Sequence, residues 1–138
     1  MVAITDEIIH LIMREGNVVL VGTVDKLGIP NISPRYVMAI LEDRLVFADI
    51  FLNKTHSNIQ SWPKVTVAIV DKAHRGGFQL KGDVEIITEG EFVVLARNKL
   101  KELGFTAGPT TVWALVVKEI YSITPSEASK LPIMSAYG

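Results

Sequence analysis

Six stretches rich in Val, Ile and aromatic residues limit the fold of this chain more than any other feature of its sequence. Short polar turns separate several of them, as expected where antiparallel strands follow one another. The predicted strands cover residues 17–24, 29–41, 44–48, 64–71, 78–88 and 110–123. Many strands with few helices between them are typical of a small closed or split barrel. We therefore expect a mainly β fold, a six-stranded antiparallel β-barrel, in a single domain of residues 1–138.

Helical periodicity is confined to three segments of the chain. The predicted helices cover residues 5–15, about 55–61 and 89–103. The first is the clearest, because Thr5 can cap its start and Gly16 is a natural stop. Residues 72–77, with Gly76 and Gly77 at their end, are expected to form a mobile loop, and the tail from residue 124 is expected to be irregular.

Two prolines make the second predicted strand unusual. Pro30 and Pro34 have no backbone N–H, so neither can donate a hydrogen bond to a neighbouring strand. Within sheets, proline is confined to edge strands, strand starts and bulges. We therefore expect this strand to lie at an edge of the sheet, to be irregular, or to open onto a ligand.

The balance of charges limits the partners that the chain can bind. Its formal net charge is -1, so it has no general positive field to hold nucleic acid, and an anion site must be local. The chain contains no cysteine, which excludes disulfides and thiolate chemistry. His10, His56 and His74 fall on a predicted helix face, a helix start and a loop, without the spacing of metal ligands. We expect neither a nucleic-acid partner nor a metal site.

No apolar stretch reaches the length that a helix needs to cross a bilayer, so no membrane partner is expected. The first residues lack the basic region and the long apolar run of a signal peptide. Hydrophobic residues make up 49% of the chain, which argues against disorder. These features predict a folded cytoplasmic protein.

Asn53, Lys54 and Thr55 stand where the third predicted strand gives way to the second predicted helix. Either Asn53 or Thr55 can cap this helix by accepting a hydrogen bond from a first-turn amide. A helix N-terminus has free N–H donors and a partial positive charge, so an added ammonium and hydroxyl make it suitable for a phosphate. The alternative is an ordinary capped helix with a solvated lysine.

Two further pairs of polar residues lie on predicted strands. Ser33 and Arg35 place a hydroxyl and a guanidinium on the proline-containing strand, and a guanidinium can bind a phosphate through two hydrogen bonds. Gln79 and Lys81 alternate with apolar neighbours, so we expect their side chains on the face opposite the core. Gly82 would let another backbone or a flat ligand come close there. Taken alone, each pair also fits an ordinary solvated strand.

Four motifs follow one another along roughly the first two-thirds of the chain. They are G-x-P-x-x-S-P-R-Y at 28–36, F-A-D-x-x-x-x-K-T-x-x-N at 47–58, P-K-V-x-V-A-x-V-D at 63–71 and Q-L-K-G-x-x-E at 79–85. In this order they resemble the motifs of the pyridoxamine-phosphate-oxidase-like flavin-binding split barrels, in particular the small flavin-nucleotide-binding proteins. The K-T-x-x-N block is the most specific of the four.

The resemblance implies a split-barrel homodimer that holds two FMN molecules at the subunit interface. Carried over by position, the implied FMN-binding residues are Ser33, Pro34, Arg35, Ala48, Asp49, Lys54, Thr55, Asn58, Gln79 and Lys81. Lys54 and Thr55 would hold the phosphate, with Arg35 converging on it. Ser33 and Pro34 would lie near the isoalloxazine ring or the ribityl chain.

The resemblance also implies roles for the remaining strand residues. Ala48 and Asp49 would supply backbone along the cofactor, while Gln79 and Lys81 would approach the cofactor or the interface. The chain departs from the oxidases proper because it has no convincing counterpart of their pyridoxal-phosphate-binding Arg-x-His segment. Oxidation of vitamin B6 is therefore not expected.

The resulting hypothesis is an FMN-dependent oxidoreductase or electron carrier whose redox partner or small-molecule substrate is unknown. Redox chemistry would belong to the cofactor, and the protein would bind it and adjust its potential. One alternative is a non-enzymatic protein that stores or senses flavin through the same site. Another is a split barrel that binds a different phosphate-bearing ligand, such as a deazaflavin or a haem-derived molecule.

Overall fold

The computed structural model describes residues 1–51 and 53–138, which form one antiparallel sheet, three α-helices and a short 3₁₀ turn at Glu127–Lys130. The helices are α1 (Asp6–Arg14), α2 (Lys54–Ser61) and α3 (Glu91–Glu102). The strands are β1 (Val18–Val24), β2 (Pro30–Tyr36), β3 (Ala39–Leu41), β4 (Arg44–Asp49), β5 (Lys64–Asp71), β6 (Gly76–Ile87), β7 (Thr111–Ser122) and β8 (Met134–Ser135). None of the helices in these described ranges is long and apolar enough to cross a membrane.

The described strands are hydrogen-bonded in the order β2-β1-β5-β6-β7-β4-β3, and β8 pairs with β7 beside this path. A register shift between Lys81 and Gly82 interrupts the pairing of the two longest strands, β6 and β7. Such a shift bends and twists the sheet locally. The mainly β, antiparallel split-barrel fold is confirmed. Strand β2 pairs with β1 alone among the described strands, so it lies at an edge, which is one of the three possibilities that its prolines left open.

The prediction of six strands is wrong in number, because the predicted strand 29–41 is divided into β2 and β3 and the tail adds β8. The break falls at Val37 and Met38. The N–H of Val37 donates to the carbonyl oxygen of Asn17, next to β1, at 2.8 Å, and the N–H of Met38 donates to that of Val46 in β4, also at 2.8 Å. The chain therefore changes its pairing partner between two consecutive residues.

Two other local predictions are wrong because strand pairing extends further along the chain than its local sequence indicates. Gly76 and Gly77 are the first residues of β6 and not a plain loop. Gly77 has a φ of +133°, and a Cβ at this position would overlap the carbonyl oxygen of Ile69 in β5, so only glycine lets β6 begin this close to the end of β5. The tail, expected to be irregular, contains the 3₁₀ turn and the two-residue strand β8.

Among residues 1–51 and 53–138, the core consists of two clusters on opposite sides of β4. The larger one fills the barrel beneath α1, where Phe47 and Trp113 stack with ring centroids 4.4 Å apart. The smaller one lies beneath α3 and includes Val46, Ala96 and Leu100. Because consecutive side chains of β4 alternate between these clusters, both sides of its centre are buried, and it has the continuous apolar sequence Leu45-Val46-Phe47.

Strands β1 and β2 have one face toward the core and one away from it. Val19, Val21 and Thr23 of β1 are buried, so the alternating residues Val18, Leu20 and Gly22 point away from the core. Their partners in β2 are Tyr36, Pro34 and Ile32. We call the surface formed by these three residues of β1 and their three partners in β2 the outer sheet face: Val18, Leu20, Gly22, Ile32, Pro34 and Tyr36. Val18, Tyr36 and Ile32 are large, apolar or aromatic and exposed on it.

Gly82 provides a test of the packing at the register shift. A Cβ there would overlap the carbonyl oxygen of Val116 in β7. Of the two neighbours expected close to this glycine, a backbone or a flat ligand, the structure shows the backbone of the neighbouring strand. We expect Gly82→Ala to lower the free energy of unfolding by about 1–3 kcal/mol through overpacking. Gly108→Ala is the control, because its Cβ would meet nothing within 4 Å and the change should stay within about 0.5 kcal/mol. Urea denaturation of both variants measures the difference, and equal midpoints would contradict this account.

Candidate functional site

The first turn of α2 presents unsatisfied hydrogen-bond donors. Asn53 caps the helix, and its side-chain oxygen accepts a hydrogen bond from the N–H of His56 at 3.3 Å. The amides of Lys54 and Thr55 have no acceptor among the described residues, and the turn contains no acidic side chain. Free amides at the positive end of a helix dipole attract an anion.

A buried carboxylate lies beside this turn. The Asp49 side chain, at the end of β4, is 1% exposed and forms an ion pair through Oδ1 with Arg35 of β2, whose side chain is 14% exposed. Its other oxygen, Oδ2, is 3.4 Å from Nδ1 of His56. Arg35 also donates to the cap, Asn53, at 3.0 Å. One guanidinium therefore connects β2, β4 and the start of α2.

A set of hydroxyl and amide groups joins α2 to the core-facing side of β2. Thr55 is buried, and its hydroxyl lies 2.8 Å from that of Ser33 and 3.3 Å from Nδ2 of Asn31. One turn later, Asn58 is also buried and donates to the hydroxyl of Thr23 in β1 at 3.0 Å. These contacts fix the position of α2 over the β1–β2 hairpin, since a buried polar group is costly unless it is hydrogen-bonded.

Lys54 lies on the first turn of α2, and its ammonium is directed to the turn between β1 and β2. Its Nζ is 3.6 Å from Oδ2 of Asp25, and more than half of its side chain is exposed. The hydrogen bond from the Ile29 amide lowers the pKa of Asp25. Burial opposes this shift, while the Leu27 amide and the charge of Lys54 add to it. The carboxylate is therefore charged at neutral pH, and Lys54 has an existing partner with which an incoming anion must compete.

The structure separates the ten residues that the sequence predicts for the cofactor site. Ser33, Arg35, Asp49 and Thr55 form one hydrogen-bonded group, with Lys54 next to Thr55.

The remaining five predicted residues lie apart from that group. Asn58 is engaged with Thr23, and the Ala48 side chain packs against the smaller core cluster, so Ala48 offers only its backbone. Pro34 lies on the outer sheet face. Gln79 and Lys81 pair with Ala68 and Thr66 of β5, on the side of the sheet away from the core, as their alternation predicts.

Three polar residues that bond to this group lie outside the set that the sequence predicts for the site: Asn31, His56 and Asn53, which was expected only as a possible helix cap. Asn31 could have been found from spacing, because it alternates with Ser33 and Arg35 and so shares their face of β2. His56 follows the K-T pair directly, but its contact with Asp49 depends on how β4 and α2 meet in space. Among the described residues, no group of three or more His, Asp or Glu side chains is arranged to hold a metal ion.

The donor set suits a phosphate monoester better than a carbonyl or an apolar ligand. Two free amides, the Lys54 ammonium and the edge of the Arg35 guanidinium lie around one helix turn, while the buried Thr55 hydroxyl is already bonded to Ser33 and Asn31. A phosphate presents several strong acceptor oxygens, which such a group of donors can satisfy together. The residues present therefore fit the phosphate of a nucleotide cofactor.

A family model described as pyridoxamine 5'-phosphate oxidase matches residues 4–124 of the chain. The chain is 29% identical over 134 residues to the protein MJ0282 of Methanocaldococcus jannaschii, an alignment that covers 94% of this chain and 88% of that protein. It is also 29% identical to HupZ of Group A Streptococcus, whose crystal structure superposes with a TM-score of 0.76 over 89% of this chain and 96% of that chain.

Two less similar structures share the fold. An FMN-binding protein from Syntrophomonas wolfei is 17% identical, with a TM-score of 0.66 over 88% of this chain and 91% of that chain. A heme binding protein from Mycobacterium smegmatis is 19% identical, also with a TM-score of 0.66, over 92% of this chain and 57% of that chain. At these identities the likeness concerns the fold alone.

Asp49→Asn tests the energetic role of the buried pair. The substitution keeps the shape of the side chain but leaves Arg35 with an uncompensated charge, which should lower the free energy of unfolding by about 3 kcal/mol. Asp83→Asn is the matched control, because Asp83 pairs with Lys64 at an exposed position, where an ion pair contributes less than about 1 kcal/mol. Denaturant titrations of both variants give the two values. A loss at Asp49 no larger than that at Asp83 would contradict the account.

Proposed function

The chain belongs to the pyridoxamine 5'-phosphate oxidase family, and from that premise we propose that it binds FMN, with the phosphate at the first turn of α2. The observation that carries the proposal is the donor set of that turn: free amides at Lys54 and Thr55, no acidic residue in the turn, and Arg35 at its edge. A terminal monophosphate fits a helix start of this kind. FAD is disfavoured because the chain lacks the glycine-rich dinucleotide fingerprint.

The proposed activity is that of a flavin-dependent oxidoreductase or electron carrier. FMN would supply the transfer of hydride or single electrons. The chain's own residues would bind the phosphate through Lys54 and Thr55, hold α2 in place through Ser33 and Arg35, and leave the reacting ring open to a redox partner. The same binding residues would serve a flavin store or sensor without turnover. Bleaching of bound flavin by NADH, or its absence, distinguishes the two.

We further propose that two chains associate through the outer sheet face. A groove of about 630 Å³ runs along the side of the sheet away from the core, lined by Gly22, Ile32, Thr66, Lys81 and Tyr137. Most of the surface that lines it is apolar. Ile32 is 67% exposed in the single chain. Contiguous exposed apolar surface of this kind is typical of an interface, and a second copy would cover it and bring Gln79 and Lys81 toward a shared cofactor.

A haem-derived ligand is a second candidate, favoured by one contact. A carboxylate that accepts a hydrogen bond from one ring nitrogen of a histidine fixes the tautomer and leaves the other nitrogen available to a metal. The Asp49 and His56 side chains have this arrangement. Extraction of the bound cofactor and mass spectrometry distinguish the candidates, because FMN and haem differ in mass and spectrum.

Lys54→Ala compared with Lys72→Ala tests the phosphate site. Each variant removes one positive charge, but only Lys54 is proposed to contact the phosphate. A charge-assisted hydrogen bond contributes about 1.5–3 kcal/mol, so FMN should bind roughly ten- to a hundredfold more weakly to Lys54→Ala. Lys72, exposed in the turn after β5, should change the affinity by less than about twofold.

Riboflavin, which lacks the phosphate, should bind all three proteins alike in the same fluorescence titration. Equal weakening of FMN by both lysine variants would mean that general electrostatics, and not the first turn of α2, binds the anion.

The proposed interface is tested by introducing a charge on the outer sheet face. The parent protein should have about twice its chain mass of 15.2 kDa in light scattering at micromolar concentration. Ile32→Glu should shift it toward the mass of one chain, because a buried unpaired carboxylate opposes association. Val94→Glu, at an exposed apolar position on α3, is the control and should leave the mass unchanged. A monomeric parent that still binds FMN would rule out this interface.

A further inference from the structure

The carboxylate of Asp25 is fixed by the turn between β1 and β2. Its Oδ1 accepts hydrogen bonds from the N–H groups of Leu27 and Ile29, both at 2.9 Å. The N–H of Asp25 donates to the carbonyl oxygen of Ile29 at 3.1 Å, and the N–H of Gly28 donates to the carbonyl oxygen of Asp25 at 3.0 Å. Because these four hydrogen bonds lie within one turn, they hold the side chain of Asp25 in place.

The other oxygen of this carboxylate faces the proposed phosphate site. Oδ2 of Asp25 is 3.6 Å from Nζ of Lys54, and the two residues line one cleft of about 240 Å³ between the turn and α2. The Asp25 side chain is 18% exposed, whereas that of Lys54 is 57% exposed. A lysine side chain is a flexible four-carbon stem, so an exposed one reorients easily. An anion at the first turn of α2 can therefore draw the ammonium away, while the carboxylate stays behind.

The ion pair between Asp25 and Lys54 opposes the binding of an anion. The hydrogen bond from the Ile29 amide lowers the pKa of Asp25, so this side chain is negatively charged at neutral pH. A phosphate gains the contact with Lys54 only if the ammonium leaves Asp25, and it then lies in the field of the carboxylate that remains. Both effects act on the charged part of a ligand and not on its uncharged part.

We propose that Asp25 is a positioning residue that acts through Lys54 and determines how strongly the site prefers FMN over riboflavin. The inference rests on the proposed FMN function and adds the residue that limits the contribution of the phosphate. Riboflavin differs from FMN only in lacking the phosphate, so the ratio of the two affinities measures this contribution. By holding the ammonium in the free protein, Asp25 lowers that ratio.

Asp25→Asn separates the charge of this residue from its part in the turn. The amide oxygen of asparagine can accept the same two backbone hydrogen bonds, so the turn should be retained. We expect FMN to bind about three- to tenfold more tightly to this variant, because Lys54 no longer has a charged competitor. Riboflavin should bind to the variant and to the parent alike in the same fluorescence titration. A merely structural role of Asp25 would change the affinities for both ligands.

Glu102→Gln is the matched control for the loss of one negative charge. Glu102 pairs with Lys99 on α3 at 3.5 Å, nearly the same separation as that of Asp25 and Lys54. This variant should change the affinity for FMN by less than about twofold.

A second comparison introduces Asp25→Asn into the Lys54→Ala variant. If Asp25 acts through Lys54, the two substitutions are not additive, and the gain in FMN affinity should fall to at most about twofold. NMR of the parent protein gives a reading that needs no variant. The carboxyl carbon of Asp25 should shift when FMN binds, because the ammonium leaves it, whereas that of Glu102 should not.

The outcomes separate this inference from the proposed function. A parent protein that binds no FMN overturns the proposed function, and the inference with it. An unchanged FMN affinity in Asp25→Asn, an equal gain for riboflavin, or an undiminished gain in the Lys54→Ala background overturns the inference alone. If Asp25→Asn does not fold, an unshifted Asp25 carboxyl resonance in the FMN-bound parent has the same consequence, and a shift confined to Asp25 supports the inference.

Discussion

The ion pair between Arg35 and Asp49 is the interaction on which the rest of the site depends. It joins β2 to β4, which are separated in the sheet order by β1, β5, β6 and β7. The pair thus connects two strands that lie far apart in the sheet order. A carboxylate as deeply buried as Asp49 is strongly unfavourable without partners, and Arg35 and His56 supply them. Because Arg35 also contacts the cap of α2, the same pair fixes where the free amides of the helix point.

Under the proposed function, the first turn of α2 is where a chain with a net charge of -1 would hold an anion. The attraction would be local and would come from oriented amides and a single ammonium, so it would not require a basic surface. The same geometry gives one strand two chemically different faces. Ser33 and Arg35 face α2, whereas Ile32 and Pro34 face the other way, onto the outer sheet face. A ligand with a phosphate at one end and a flat ring at the other would have to span the edge strand β2, where a second copy of the chain could complete its enclosure.

Local sequence patterns were sufficient for much of this structure. Alternation and β-branched content located most of the strands, the prolines made an edge one of three possibilities for β2, and Asn53 was one of two residues expected to cap α2. The break at Val37 and Met38 could not be predicted, because it depends on which strand each amide meets. The short strand β8 was missed for the same reason, since its two residues extend only by pairing with β7. The contact of Lys54 with Asp25 joins residues far apart in the sequence, and that of His56 with Asp49 depends on the angle between β4 and α2. Residue spacing predicts neither contact.

The central claim is that the first turn of α2 holds the phosphate of FMN, and a crystal structure of the protein grown with FMN tests it most directly. The account predicts phosphate density within hydrogen-bonding distance of the Lys54 and Thr55 amides, with the isoalloxazine ring between two copies of the chain at the outer sheet face. A phosphate bound elsewhere while the amides of this turn bind only water would contradict it.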